Sequence, residues 1–182
     1  MIASRTSPNR RHSQWWLPGL LVTGILILLA GCSYYSFTGA SVPAHLKTVA
    51  IPLVEDRSVS TLTSLDDQLT RLLIDRFVGQ TGLSLQANPE QANAVLTATI
   101  ERYENEPTAV GGAERTTRNR VTISINVKYE DRVENKELLR RTFSSFEEYD
   151  PFAQGTAGES NAASAALEKI ADDIFTAATS NW

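Results

Sequence analysis

The tetrapeptide Leu29-Ala30-Gly31-Cys32 constrains this chain more than any other feature, because it decides how much of the sequence takes part in folding. Small residues stand directly before the single cysteine, behind an apolar run from Trp15 to Leu29 and a basic segment with Arg5, Arg10 and Arg11. Basic, apolar and small-residue regions in that order form an export signal, and the cysteine at its end makes the four residues a lipobox. A peptidase cleft admits small side chains before the cut, and a thiolate is the nucleophile that can carry a diacylglyceryl group. The apolar run also approaches the roughly 17 to 25 residues of a spanning helix, so an uncleaved anchor is the other reading. With cleavage, residues 1–31 are a signal peptide and Cys32 is the lipid attachment point. Residue 33 is Ser rather than Asp; by analogy with known lipoproteins this favours transport to the outer membrane, with the chain on its periplasmic side.

Of the 182 residues, 151 then remain, enough for one domain with a real core. The removed segment holds three arginines and no acid, so the formal charge falls from −4 to −7. An acidic chain of this kind makes nucleic acid an unlikely partner for the surface as a whole, while leaving room for a local basic patch. Once Cys32 is acylated no thiol is left for a disulfide, and packing alone must hold the fold.

Residues 32–46 lack a clear period and read as a lipid-anchored tether, which at roughly 3.3 Å per residue reaches no more than about 45 Å from the bilayer. The domain is expected over 47–182. Lys47 to Val54 is apolar on both parities and reads as a covered strand, with Pro52 placing it near an edge. Ser64 can cap a helix, with Asp67 three residues on; Leu65, Leu69, Leu72, Leu73 and Phe77 share its face and Gly79 and Gly82 end it. Leu83 to Gln86 follows as a short strand, so a right-handed crossover between parallel neighbours is predicted. Ala94 to Tyr103 is β-rich. Val121, Ile123, Ile125, Val127 and Tyr129 alternate with Thr122, Ser124, Asn126 and Lys128, which predicts a strand with one buried face and one wet or partner-covered face. Residues 130–136 make a hairpin loop and Leu138 to Tyr149 the antiparallel return. Pro151 to Gly158 reads as a loop, and a last helix, from about Ser160 to Thr179, carries an apolar stripe of Ala163, Leu167, Ile170, Ala171, Ile174 and Ala178. The predicted fold is α+β, a two-layer sandwich with two helices on one face of a four-stranded mixed sheet.

Chemistry is sparse. His45 falls in the tether and reads as a solvated loop residue without catalytic partners. Asp66 with Asp67, Glu147 with Glu148, and Asp172 with Asp173 are sequence neighbours that diverge on regular elements, so they read as solvated faces. Gly111-Gly112 is followed by no Gly-Lys-Ser/Thr and is no phosphate loop. No metal site or cofactor is expected. One group of residues can bind: Arg115, Arg118 and Arg120 lie in and just after a loop, and the last two share parity with Lys128. Three guanidiniums could clamp phosphates or carboxylates in bidentate fashion. The same charges also suit a solvated loop that guards a sheet edge.

The block Gly31-Cys32-Ser-Tyr-Tyr-Ser-Phe-Thr-Gly-Ala-Ser41, followed by Lys47-Thr-Val-Ala-Ile-Pro52 and a closing helix that runs to Ser180-Asn181-Trp182, resembles the LPS-assembly lipoprotein LptE family, in the branch seen in Bacteroidetes-like bacteria. The resemblance implies a non-enzymatic lipoprotein that sits as a plug in the outer-membrane barrel LptD and helps lipopolysaccharide reach the cell surface. It also implies a basic lipopolysaccharide-binding site near a strand-connecting loop, for which Arg115, Arg118, Arg120 and Lys128 are the candidates here, although the local sequence does not match residue for residue. A scaffold lipoprotein of another envelope or secretion complex is the alternative. A carboxylate hydrolase built on Glu101, Glu104 or Glu106 is a third.

Overall fold

The computed structural model describes residues 42–108 and 118–180, and the statements below concern these. Cys32, Gly111, Gly112, Arg115 and Trp182 lie outside the described residues. The strands are β1 (Thr48–Ala50), β2 (Glu55–Asp56), β3 (Ser84–Leu85), β4 (Ala94–Thr108), β5 (Arg118–Asp131) and β6 (Lys136–Tyr149); the helices are α1 (Leu65–Gln80) and α2 (Pro151–Thr179). They form one mixed sheet of order β3-β1-β4-β5-β6, with β2 pairing β4 beyond the end of β1.

The fold is α+β with two helices, as expected, but the sheet has six strands rather than four. Pro52 is one reason. The expected strand Lys47–Val54 is cut into β1 and β2, because Pro52 has no N–H to give to a ladder. Both pieces run parallel to β4, Val49 opposite Ala94 and Glu55 opposite Thr99, so the partner numbers differ by 45 before the break and by 44 after it. One residue is therefore extra in the gap, where Val54 N–H finds Thr70 Oγ1 on α1 at 3.0 Å. The second is β3, the short strand expected at Leu83 to Gln86 but left out of the count of four; it pairs parallel with β1 across the α1 crossover and takes the edge position, leaving β1 one strand inside it.

The buried residues of α1 are Leu65, Leu69, Leu73 and Phe77, with Leu72 packed at their margin. Ser64 precedes the helix but does not cap it through its side chain; it sits at φ 73°, and only its carbonyl accepts the amide of Gln68. Gly79 lies within the last turn, and Thr81 ends the helix by turning extended while its hydroxyl donates to the carbonyl of Phe77.

The long antiparallel strands supply the body of the sheet. Val121, Ile123, Ile125, Val127 and Tyr129 are all buried, facing the helices as their alternation predicts. In β4, Glu101 is an extra residue between the pairs Ile100–Ile125 and Arg102–Ser124. This bulge switches the parity of β4, so that Tyr103 and Asn105, opposite Ile123 and Val121, join the helix-facing side.

The last helix begins earlier than expected. Asp150 Oδ1 accepts from the amides of Phe152 and Ala153, and Pro151 at the first helical position is pre-set for the turn. The segment expected as a loop is therefore helical from Pro151, with an interruption at Gly155, whose φ of 56° and ψ of −145° break the helical path. Beyond it the predicted stripe is buried in full. Both helices share one core with the inward row of β5, centred on Phe77, whose ring meets Tyr129 at 5.7 Å and Phe175 at 5.5 Å edge-on. No helix among the described residues is long and apolar enough to cross a membrane.

Candidate functional site

Among the described residues, the sheet face away from the helices is open and polar. Along β5 it presents Arg118, Arg120, Thr122, Ser124, Asn126 and Lys128, and directly opposite on β6 stand Glu148, Phe146, Ser144, Thr142 and Arg140 facing the last five of these. Hydroxyls and amides link the rungs: Ser124 to Ser144 at 3.0 Å and Asn126 to Thr142 at 3.3 Å. Phe146 is 52% exposed in the middle of this face.

Arg118, Arg120 and Lys128 do share this face, as their parity predicts. At the end of the face far from the β5–β6 turn, Arg120 donates to Glu148 Oε1 at 2.7 Å and lies 4.4 Å over the Phe146 ring. Arg118 pairs through its backbone with Thr108, and its side chain has no ion-pair partner among the described residues. Lys128 is eight residues along the strand, roughly 27 Å away, and pairs with Glu130 at 2.6 Å. The strand thus keeps Arg118 and Arg120 together and holds Lys128 apart. The adjacent carboxylates expected as solvated faces are in part tied across elements: Asp172 binds Arg76 at 2.5 Å, and Glu147 binds Lys169.

A second cluster escaped the sequence. His45 is not a free loop residue: its Nε2 lies 2.5 Å from Asp131 Oδ2 and its Nδ1 3.7 Å from Glu134 Oε1. Asp131 is 1% exposed, and its other oxygen accepts from the amides of Val133 and Glu134 at 2.8 and 2.9 Å, which shapes the β5–β6 turn. Burial pushes the Asp131 carboxyl up, but the Glu134 amide, the His45 hydrogen bond and the Val133 amide outweigh it, and the net shift is below the ordinary aspartate range. Beside it Asn93 accepts from the amides of Lys47 and Thr48, and its carbonyl takes the amide of Arg132. Val42 and Leu46, in the stretch read as tether, pack against the core. The chain entering the domain is thereby fastened to the β5–β6 turn. The donor atoms of His45, Asp131 and Glu134 lie within 4.8 Å of one another, and among the described residues this is the one group able to hold a metal. Even parity on β5 and a polar turn gave no warning of this contact, since its two halves are 86 residues apart.

Polar groups also line the helix-facing side at the end of the sheet far from the β5–β6 turn. Tyr103 donates to Glu159 at 2.7 Å, and Tyr149 accepts from Asn105 at 2.9 Å. Burial and then the Glu159 hydrogen bond hold the Tyr103 phenol protonated well above its ordinary range.

A sequence model of a family named LptE and described as lipopolysaccharide-assembly matches residues 46–178. No curated protein matches by sequence. Among solved structures, a single-substitution PelC dodecamer from Paraburkholderia phytofirmans is 11% identical with a TM-score of 0.51, covering 78% of this chain and 95% of that one. A minor lipoprotein from Acinetobacter baumannii is 18% identical with a TM-score of 0.43, covering 71% and 90%. At such identities the first likeness speaks for the fold alone.

Proposed function

The chain belongs to the LptE family of lipopolysaccharide-assembly proteins, and from that premise we propose that it is a non-enzymatic accessory lipoprotein, anchored through Cys32 in the outer membrane and seated as a plug within an LptD-type barrel. The observation that carries this reading is the helix-free sheet face. It is long, lined by hydroxyl, amide and charged groups, and left open among the described residues, which suits a wet, polar barrel wall. Cleavage after residue 31 and a single domain over 47–182, with residues 32–46 as its tether, belong to the same proposal.

Within this reading Arg118 and Arg120, with Arg115 three residues earlier in the sequence, meet the phosphates of lipopolysaccharide. Arg118 supplies a guanidinium without an ion-pair partner among the described residues, and Arg120 is steered by Glu148 and Phe146. Lys128 serves a separate contact further along the face.

The test is affinity purification of the acylated protein from outer membranes in mild detergent, with mass spectrometry of what accompanies it. A large barrel in near-equal amount is expected. A folded, abundant lipoprotein that brings no barrel would replace this reading with that of a scaffold for another envelope complex. Arg118→Glu with Arg120→Glu should weaken lipopolysaccharide binding while leaving the barrel association in place.

A further inference from the structure

Both ring nitrogens of His45 stand near carboxylates. Nε2 lies 2.5 Å from Asp131 Oδ2, and Nδ1 lies 3.7 Å from Glu134 Oε1. An ionised carboxylate only accepts, so Nε2 holds the ring proton and donates it to Asp131. That partner is fixed in place, since Asp131 is 1% exposed and its other oxygen accepts from the amides of Val133 and Glu134. Nδ1 of the neutral ring is then an acceptor set against a second acceptor on Glu134. At 3.7 Å the two are too far apart for a hydrogen bond, so a second ring proton would not join them. Two electron-pair donors at that separation call for a cation between them.

We propose that a divalent transition-metal ion of the zinc type binds between His45 Nδ1 and Glu134, with Asp131 behind the ring as its orienting partner. Zinc bonds of about 2.0–2.2 Å set two donors on one tetrahedral ion roughly 3.4 Å apart. Glu134 belongs to an exposed turn and has the freedom to close the small difference. A metal-ligating imidazole characteristically donates its other N–H to a carboxylate, which fixes the tautomer and raises the basicity of the ligating nitrogen. Asp131 does this for His45. Water fills the remaining positions. Imidazole beside carboxylate suits zinc-like ions, whereas magnesium prefers oxygen ligands and keeps its own water.

The ligands stand on separate segments, His45 on the stretch that enters the domain and Glu134 on the β5–β6 turn. A bound ion therefore ties entry to turn. It adds to Asn93, whose side chain accepts from the amides of Lys47 and Thr48 and whose carbonyl takes the amide of Arg132. The ion also offsets the repulsion of two carboxylates whose oxygens lie within 4.8 Å of each other. No metal is expected from the sequence, because a distant histidine and two acids of one turn make no spacing motif. The site holds with or without a barrel partner.

The test is calorimetric titration of zinc into the acylated full chain, stripped of metal with a chelator and held in mild detergent at neutral pH. Zinc should bind with a raised thermal midpoint. His45→Gln and Glu134→Gln should each weaken binding at least about tenfold and abolish the rise in midpoint. The two side chains are 34% and 57% exposed, so both variants should fold. Asp131→Asn keeps an oxygen for the ring N–H and should weaken binding about tenfold through the ring alone. Cys32 is unchanged throughout, so zinc held there persists in every variant and is told apart from the site. Nitrogen-15 NMR of the His45 ring should show zinc at Nδ1 while Nε2 keeps its proton. Magnesium at the same concentration should leave the midpoint unmoved. No zinc uptake, uptake equal in wild type and both glutamine variants, or uptake that needs His45 but not Glu134 would each overturn the proposal. Should Asp131→Asn misfold, the two glutamine variants decide alone.

Discussion

Replacing Asp131 by alanine should destabilise this domain more than almost any other polar substitution. The carboxylate is 1% exposed and receives three hydrogen bonds, from the amides of Val133 and Glu134 and from His45. A hydrogen bond to a charged group contributes about 1.5–3 kcal/mol. Val133 and Glu134 are themselves exposed, so their amides recover part of that from water. A net loss of about 3–5 kcal/mol follows, a large share of the roughly 5–15 kcal/mol that holds a domain together. With a urea slope near 2 kcal/mol/M, the midpoint followed by far-UV circular dichroism should fall by about 1.5–2.5 M. Asp131→Asn keeps an oxygen for the two amides and should lie between the two. The dependence on pH gives a second reading. The folded-state pKa is lowered, so the contribution is fully present above the unfolded value of about 3.9 and is lost as pH falls through the lower folded value. Below about pH 4 the gap between wild type and Asp131→Asn should therefore close. A loss under about 1 kcal/mol for Asp131→Ala at neutral pH, or a gap that persists into acid, would refute the reasoning.

Three further outcomes are expected. Phe77→Ala removes the ring that joins Tyr129 and Phe175 in the shared core and should lower the unfolding free energy by about 3–5 kcal/mol in the same titration. Gly158→Ala would set a Cβ 2.6 Å from the Cβ of Gln154 and 2.7 Å from Cδ2 of Tyr149; overpacking of that kind costs about 1–3 kcal/mol and should appear as a lowered melting temperature. The Tyr129 hydroxyl is buried without a hydrogen-bond partner among the described residues, so Tyr129→Phe should leave stability unchanged or raise it by up to about 1 kcal/mol. Burial, and then the nearby Asp131 charge, keep that phenol protonated well above its ordinary range, and the variant should remove a tyrosine that fails to ionise in an alkaline absorbance titration.

Strong local periods were legible before any coordinates. The alternation of Val121 to Tyr129 and the helical stripe from Ala163 to Ala178 each state a buried face, because a period of two or of 3.6 residues is meaningful only when one side meets a core. The parallel crossover through α1 followed from a strand, a helix and a strand set close together. Where local signals were weak or contradictory, the reading slipped. Ser64 has the side chain of a cap, yet its left-handed backbone turns that side chain away from the role. The segment after Pro151 has loop composition, yet Asp150 ahead of it is a cap whose carboxylate accepts two amides and starts a helix there.

The candidate site divides along the same line. That Arg118, Arg120 and Lys128 share a face is a consequence of parity within one strand, so it could be read from the sequence. That Arg120 is held by Glu148 and Phe146 depends on the register between β5 and β6, which hairpin turn geometry decides. His45 meeting Asp131 depends on still more, since residues 86 apart touch only after β1 has been laid beside β4 and the β5–β6 turn has closed over Asn93. By itself, then, the sequence determined the faces of the long strands and of the last helix, and it carried the residues of the LptE resemblance. The split of the first strand, the bulge at Glu101, the clamp at His45 and the place of β6 at the end of the strand order were decided by tertiary structure, because each is a relation between distant segments to which no local period is coupled.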